Sequence, residues 1–205
     1  MGLDYSFEFL APRSGASALL EALAGRVGEG YARVLRAALP WSPEQSGSGD
    51  AGIRGLRAVF DIQNYYDLVV MVGIDAEVRR YFSDSNRKIE DHTVNGKAGI
   101  GLVYMKMYAG QEYVRLVLTA ATSGMSMLLA CSGEVRKVML GLARAGQARA
   151  LFLDDEQDAT WDLLYPLPRG QRWQHEVPRL LPGRLGRPGD VDAYCELSLE
   201  LAGVG

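Results

Sequence analysis

The sequence predicts an α+β fold: a largely antiparallel sheet with two main helices packed on one face, ferredoxin-like with extra edge strands as the specific expectation. Three observations carry it. Leu3, Tyr5, Phe7 and Phe9 alternate with Asp4, Ser6 and Glu8, the period of a strand with one face on a core. Two segments, 14–39 and 123–145, carry apolar stripes at helical spacing. Two strand-like runs, 100–108 and 112–121, flank Ala109-Gly110-Gln111, the spacing of a β-hairpin with a glycine-containing turn. No linker divides the 205 residues, so residues 1–205 are expected to form a single domain with 42–52 and 166–189 as surface loops.

The elements follow in order. The first helical stripe (Leu19, Leu20, Leu23, Val27, Tyr31, Val34, Leu35, Ala38) keeps its register through Gly25, Gly28 and Gly30, so it is one weakened helix or two short ones. Residues 53–62 are ambiguous, whereas 65–74 are rich in β-branched and aromatic side chains and read as a buried strand. Asp75 can cap a short helix carrying Val78 and Phe82, and the polar run 83–97 reads as a mobile connection. After the hairpin, Thr122 and Ser123 suit a helix N-terminus. The second stripe (Leu128, Leu129, Val135, Val138, Met139, Leu142) is interrupted at Ser132-Gly133, which starts a new helix before Glu134. Residues 150–153 and 161–167 read as short strands. The stretch 166–188 holds five of the eight prolines and five arginines, and is expected to be an extended loop. Finally, Val191, Ala193, Cys195, Leu197, Leu199 and Leu201 alternate with more polar neighbours, which predicts a C-terminal strand.

Charge and cysteines narrow the function classes. With 25 acidic and 22 basic residues the net charge is -3, so no global basic field draws the protein to nucleic acid or anionic membranes. Cys131 and Cys195 form neither a disulfide framework nor a Cys-x-x-Cys pair, and both sit in apolar patterns suited to packing. The first residues lack a secretory leader, and the apolar run 68–74 is too short to span a bilayer, so a cytoplasmic protein without a membrane segment is expected. Only four of the 22 basic residues are Lys, an Arg bias that suggests a GC-rich bacterial source.

Few motifs carry chemistry. Gly47, Gly49 and Gly52 match Gly-x-Gly-x-x-Gly, but no strand precedes them to feed a phosphate-binding turn. His92 and His175 lie in polar, loop-like contexts, and no cofactor is expected. The acidic run 154–162 offers Asp154, Asp155 and Asp158 as oxygen ligands for a hard cation. In the hairpin, Val103, Met105, Met107, Val114, Leu116 and Leu118 share one face, leaving Tyr104, Lys106, Tyr108, Tyr113 and Arg115 on the other. Tyr and Arg are the residues of contact hot spots. The arginines 169, 172, 179, 184 and 187 form a local basic arm that can dock on a partner or on the chain's own acidic run.

The leading expectation is a non-catalytic protein that acts through protein–protein binding, on a partner or a second copy, through the hairpin residues Tyr104, Lys106, Tyr108, Tyr113 and Arg115. One alternative is a metal-dependent enzyme built on Asp154, Asp155 and Asp158, with His92 as acid or base. Another is RNA or single-stranded DNA binding on the hairpin face. The acidic balance disfavours it, as does the presence of Ile100, Leu102 and Met105 where stacking rings would be needed.

Overall fold

Eight strands pair into one sheet in the structure, a computed structural model that describes residues 5–37, 68–155, 160–166, 175–180 and 188–204. They are β1 (Ser6–Pro12), β2 (Leu68–Val72), β3 (Thr93–Val94), β4 (Lys97–Ala109), β5 (Tyr113–Ala120), β6 (Ala150–Asp154), β7 (Thr160–Tyr165) and β8 (His175–Pro178). Their order is β2-β4-β5-β1-β6-β7-β8, with β3 paired to β4, and every ladder is antiparallel. The α+β class and the large antiparallel sheet are as the sequence predicts.

The hairpin has the expected faces, in a register where Met105 pairs with Leu118, Met107 with Leu116 and Tyr108 with Arg115. The first helical stripe resolves into two helices, α1 (Ala16–Ala24) and α2 (Glu29–Ala37). The break between them is not wasted backbone. The Gly28 N–H donates to the Val69 carbonyl and the Met71 N–H to the Arg26 carbonyl, so the turn covers the open edge of β2. The second stripe likewise divides at Ser132 into α4 (Ser123–Cys131) and α5 (Gly133–Ala145). Thr122 caps the first through the Met125 N–H, and Ser132 caps the second through the Val135 N–H.

Between β2 and β4 lies α3 (Ala76–Asp84), capped by Asp75 as expected. The polar run that follows is more ordered than its composition suggests. It forms a 3-10 turn at Ile89–His92, then a small hairpin whose turn residues Asn95 and Gly96 both have positive φ, the type I′ geometry that Asn-Gly favours. Asp75 does more than cap α3. One oxygen accepts the Val78 N–H at 2.8 Å, and the other accepts the Ser132 hydroxyl at 2.7 Å and the Glu134 N–H at 3.1 Å. A single carboxylate thus ties the start of α3 to the start of α5.

Burial pushes the Asp75 carboxyl up, but its hydrogen bonds from Val78, Ser132, Glu134 and Glu77 outweigh this and hold it below the ordinary 3.8. A carboxylate whose folded pKa is depressed stabilises the fold above its unfolded pKa, and that contribution is lost as pH falls through the folded value. Asp75→Ala is therefore expected to cost about 1–2 kcal/mol at neutral pH, the worth of a lost N-cap. Urea melts in acid should show the gap to wild type closing. A gap unchanged with pH would mean that the carboxylate charge is not what joins the two helices.

Two segments depart from the sequence expectation. Residues 175–178, assigned to a loop, form β8 against β7, with Val177 fully buried and Pro178 closing an edge strand where it disturbs no central ladder. The C-terminal segment is not a strand but the helix α6 (Pro188–Leu201). Its buried residues Val191, Tyr194, Cys195, Ser198, Leu199 and Ala202 recur at helical spacing, whereas Leu197 and Leu201 of the alternating set stay exposed. Pro188 opens it. Gly203, at φ +64, closes it in a Schellman motif, with the Val204 N–H on the Leu199 carbonyl and the Gly203 N–H on the Glu200 carbonyl.

Two hydrophobic clusters form, one from each alternate set of β1 residues. Phe7, Phe9 and Ala11 join the larger one with α1, α2, α3, α4 and α5. Leu10 joins the other with Phe152, Trp161, Leu163 and Val177 of the sheet and Val191, Tyr194, Cys195 and Leu199 of α6. So β1, which the sequence places with one face on a core, is covered on both.

Candidate functional site

The five hairpin residues expected to form one contact surface are divided by α6. Arg115 is buried. Its Nη2 donates to Glu8 Oε2 at 2.6 Å, and Tyr194 of α6 donates its hydroxyl to Glu8 Oε1 at 2.8 Å. The guanidinium lies 4.7 Å from the Tyr194 ring centre and 5.2 Å from that of Tyr108, so cation–π contacts complete its surroundings. Both charges are almost sealed, with side-chain exposures of 8% and 3%. Beside them Trp161 stacks near Phe152 and meets Tyr194 edge-on. Arg115 therefore belongs to the packing between sheet and helix, not to an exposed face.

Electrostatics follow from that burial. Burial pushes the Arg115 guanidinium down, yet the hydrogen bond and charge of Glu8 more than reverse this, and its pKa is raised. Tyr194 is raised, first by burial and then by the Glu8 charge. Burial and Glu8 also push the Cys195 thiol up to about 12, which makes it a poor nucleophile. Cys131, by contrast, is exposed rather than packed. Arg115, Tyr194 and Cys195 are thus moved away from acid–base and nucleophilic chemistry at neutral pH.

A second anchor holds the start of α6. The Asp192 carboxylate accepts the backbone N–H groups of Gln111, Glu112 and Tyr113 at 2.7, 3.1 and 3.0 Å. Consecutive N–H groups aimed at one anion form a nest. The carboxylate reaches it because residue 110 is glycine, where a Cβ would sit 2.0 Å from Asp192 Oδ1. Arg13 steadies the turn from another direction, donating from Nη1 to the Gly110 carbonyl at 2.7 Å. Tyr108 and Tyr113 pack half-buried against the α6 cluster.

Lys106 is exposed, and Tyr104 is partly exposed. Their neighbours on the same face are Val69 and Met71 of β2 and Gly99 and Gly101 of β4, all partly exposed. Ala98 and Ile100 point into the larger cluster, so Lys97, Gly99 and Gly101 alternate onto this face. The result is a low, glycine-floored strip of sheet edged by a tyrosine and two lysines.

Of the acidic run, residues 154, 155 and 160–162 are described. Asp154 is paired with Arg179 at 3.0 Å, so one arginine of the expected basic arm docks on the chain's own acids. Asp162 pairs across the strands with Glu176; burial, then the charges of Asp155 and Glu176, raise its pKa against the opposing pull of Arg136. Among the described residues no group of three or more His, Cys, Asp or Glu is placed to hold a metal ion. Asp158 lies outside the described residues, as do the other four arginines of the arm, the glycines 47, 49 and 52, and the segment 53–62. His92 is exposed and stacks on Phe82 with ring centres 5.1 Å apart. No side chain is described for His175.

A groove of about 380 Å³ lies between α3 and α4, lined by Glu77, Arg80, Tyr81, Asp84, Met127 and Leu128 among others. Glu77 and Arg80 pair with each other. Burial raises the Tyr81 pKa, with Arg87 opposing. The groove carries two carboxylates against one guanidinium, and none of the buried polar atoms left without a hydrogen bond among the described residues lines it. No helix among the described residues is long and apolar enough to cross a membrane. No protein-family model, curated protein or solved structure matches this chain.

Proposed function

We propose that this chain is a binding protein whose contact surface is the open strip of sheet carrying Tyr104 and Lys106, beside α6. The observation that carries this reading is the division of the hairpin face. Tyr108, Tyr113 and Arg115 are committed to α6, while Tyr104, Lys106, Val69 and Met71 keep solvent-accessible surface on a partly apolar strip. Aromatic and aliphatic surface with a charged rim is the composition of a protein contact. Loss of Arg115 to the interior also removes the one arginine that would stack on bases, so the strip suits a protein better than RNA.

The scaffold we infer is ferredoxin-like. The central strands β4, β5, β1 and β6, with helical segments after β1 and after β5, have the order of that arrangement, and β2, β3, β7 and β8 extend its edges. The two main helical regions belong to one face, and α6 is an addition on the other.

Photo-crosslinking tests the surface. Tyr104→benzoylphenylalanine keeps an aromatic ring in place and is expected to give discrete adducts in cells that make the protein. The same probe at Asp84, in the groove between α3 and α4, should give none. Adducts from Asp84 alone would place the contact on the other side of the molecule.

A further inference from the structure

We infer that the occupant of this strip is the outer face of α6 from a second copy of the chain, in a two-fold dimer where each copy lays its C-terminal helix on the other's open sheet. The inference rests on the contact-surface reading above and names its partner. Three features of α6 support it. Its outward side carries Leu197 and Leu201, one turn apart and 45% and 38% exposed, although both are large apolar side chains. Between and beside them stand Glu196 and Glu200, both exposed, and the helix contains no Lys or Arg at all. Asp192, its other central acid, is already spent on the hairpin turn.

The strip is the complement. It bears Lys97 and Lys106, two of the four lysines in the chain, at its two ends, and places Val69, Met71, Tyr104 and the two glycines between them. The lysines are nine positions apart along β4, about 30 Å of extended strand, and α6 spans about 21 Å, so the helix fits between them. Gly99 and Gly101 add no side chain that would lift a helix from the sheet. Helix and strip lie side by side on the same face of one sheet. Turning a second copy over therefore sets helix on strip and strip on helix at once, a self-complementary contact of the kind two-fold symmetry requires.

Charge reversal tests this directly. In a sedimentation series wild type is expected to show a species of twice the chain mass. Lys106→Glu alone, and Glu196→Lys with Glu200→Lys, are each expected to sediment as monomers with unchanged circular dichroism and melting, since like charges then meet in both halves of the contact. Mixing the two variants in equal amounts should restore the dimer, because in the mixed pair every position 106 again faces opposite charge. A monomeric wild type, a dimer that survives both reversals, or a mixture that stays monomeric would each overturn the inference. The crosslink at position 104 separates it from the broader reading. A self-adduct that includes an α6 peptide supports both; an adduct to a different protein with no self-adduct retains the contact surface and overturns the second copy; no adduct overturns both.

Discussion

Glu8→Ala is expected to be among the most damaging single changes in the protein, lowering stability by about 3–5 kcal/mol. The reason is asymmetric. Glu8 accepts from both Arg115 Nη2 and the Tyr194 hydroxyl, and both donors are buried beneath α6. Removing the carboxylate leaves a buried positive charge with no anionic partner, and only the Tyr108 and Tyr194 rings then oppose its desolvation. For a chain of this size each kcal/mol moves the melting temperature by about 2–4 °C, so a fall of roughly 6–20 °C should be visible by calorimetry. Removing both charges is a different experiment. Glu8→Leu with Arg115→Met replaces the pair with apolar groups of similar reach and is expected to recover most of the loss. A double variant as unstable as Glu8→Ala would show that the pair is needed for something other than mutual neutralisation.

The second large effect is steric. Gly15 stands just before α1, and a Cβ there would lie 2.2 Å from the Gly146 carbonyl oxygen, a backbone atom that no rotamer change can move. Gly146 answers from the end of α5, where a Cβ would come within 2.6 Å of Leu19 Cβ. The two helix ends therefore approach through paired glycines. Gly15→Ala must push α1 away from α5 and is expected to cost about 3 kcal/mol, the upper part of the usual range for overpacking. Its own φ of -85° is ordinary, so backbone freedom plays no part. Gly141, inside α5 with nothing within 4 Å of its would-be Cβ, is the control. Gly141→Ala is expected to stabilise by roughly 0.5–1 kcal/mol through helix propensity alone. Equal effects from the two substitutions would refute the close approach.

How far these features are legible in the sequence depends on the residue. The hairpin, the Asp75 cap and the break at Ser132 are legible because each depends on neighbours in the chain: alternation across a short turn, or a side chain reaching an N–H three residues on. The C-terminal helix is misread because two periods coincide in it. Val191, Cys195 and Leu199 belong both to the alternating set and to the helical stripe, and Tyr194 and Ser198 look polar until they are seen buried. The decisive signals lie at its ends, Pro188 at the start and Gly203 just after the last turn. The strand His175–Pro178 is too short and too close to proline to stand out from a loop.

The site is less legible than the fold, for a related reason. Alternation assigns Glu8 and Arg115 correctly to the second face of the sheet, but a face away from the first core is not necessarily a face in water. Only the position of α6, some 80 residues beyond the hairpin, decides that Arg115 is buried and Lys106 is not. The pairing of Asp154 with Arg179 is similarly non-local, and it turns a possible cation ligand into half of an ion pair.

Whether α6 divides the second face of the sheet is tested most directly by amide hydrogen exchange at the hairpin turn. Gln111 and Glu112 are exposed turn residues whose N–H groups would exchange quickly if only water met them. With the Asp192 carboxylate seated on them, and on Tyr113, all three are expected to be protected in the wild-type protein. Asp192→Ala should release them by roughly tenfold or more, since each lost hydrogen bond is to a charged acceptor. Protected amides that become fast on that single change are the expected result; fast exchange at 111 and 112 in the wild type would contradict the docked helix, and with it the division of the face into a sealed half and an open one.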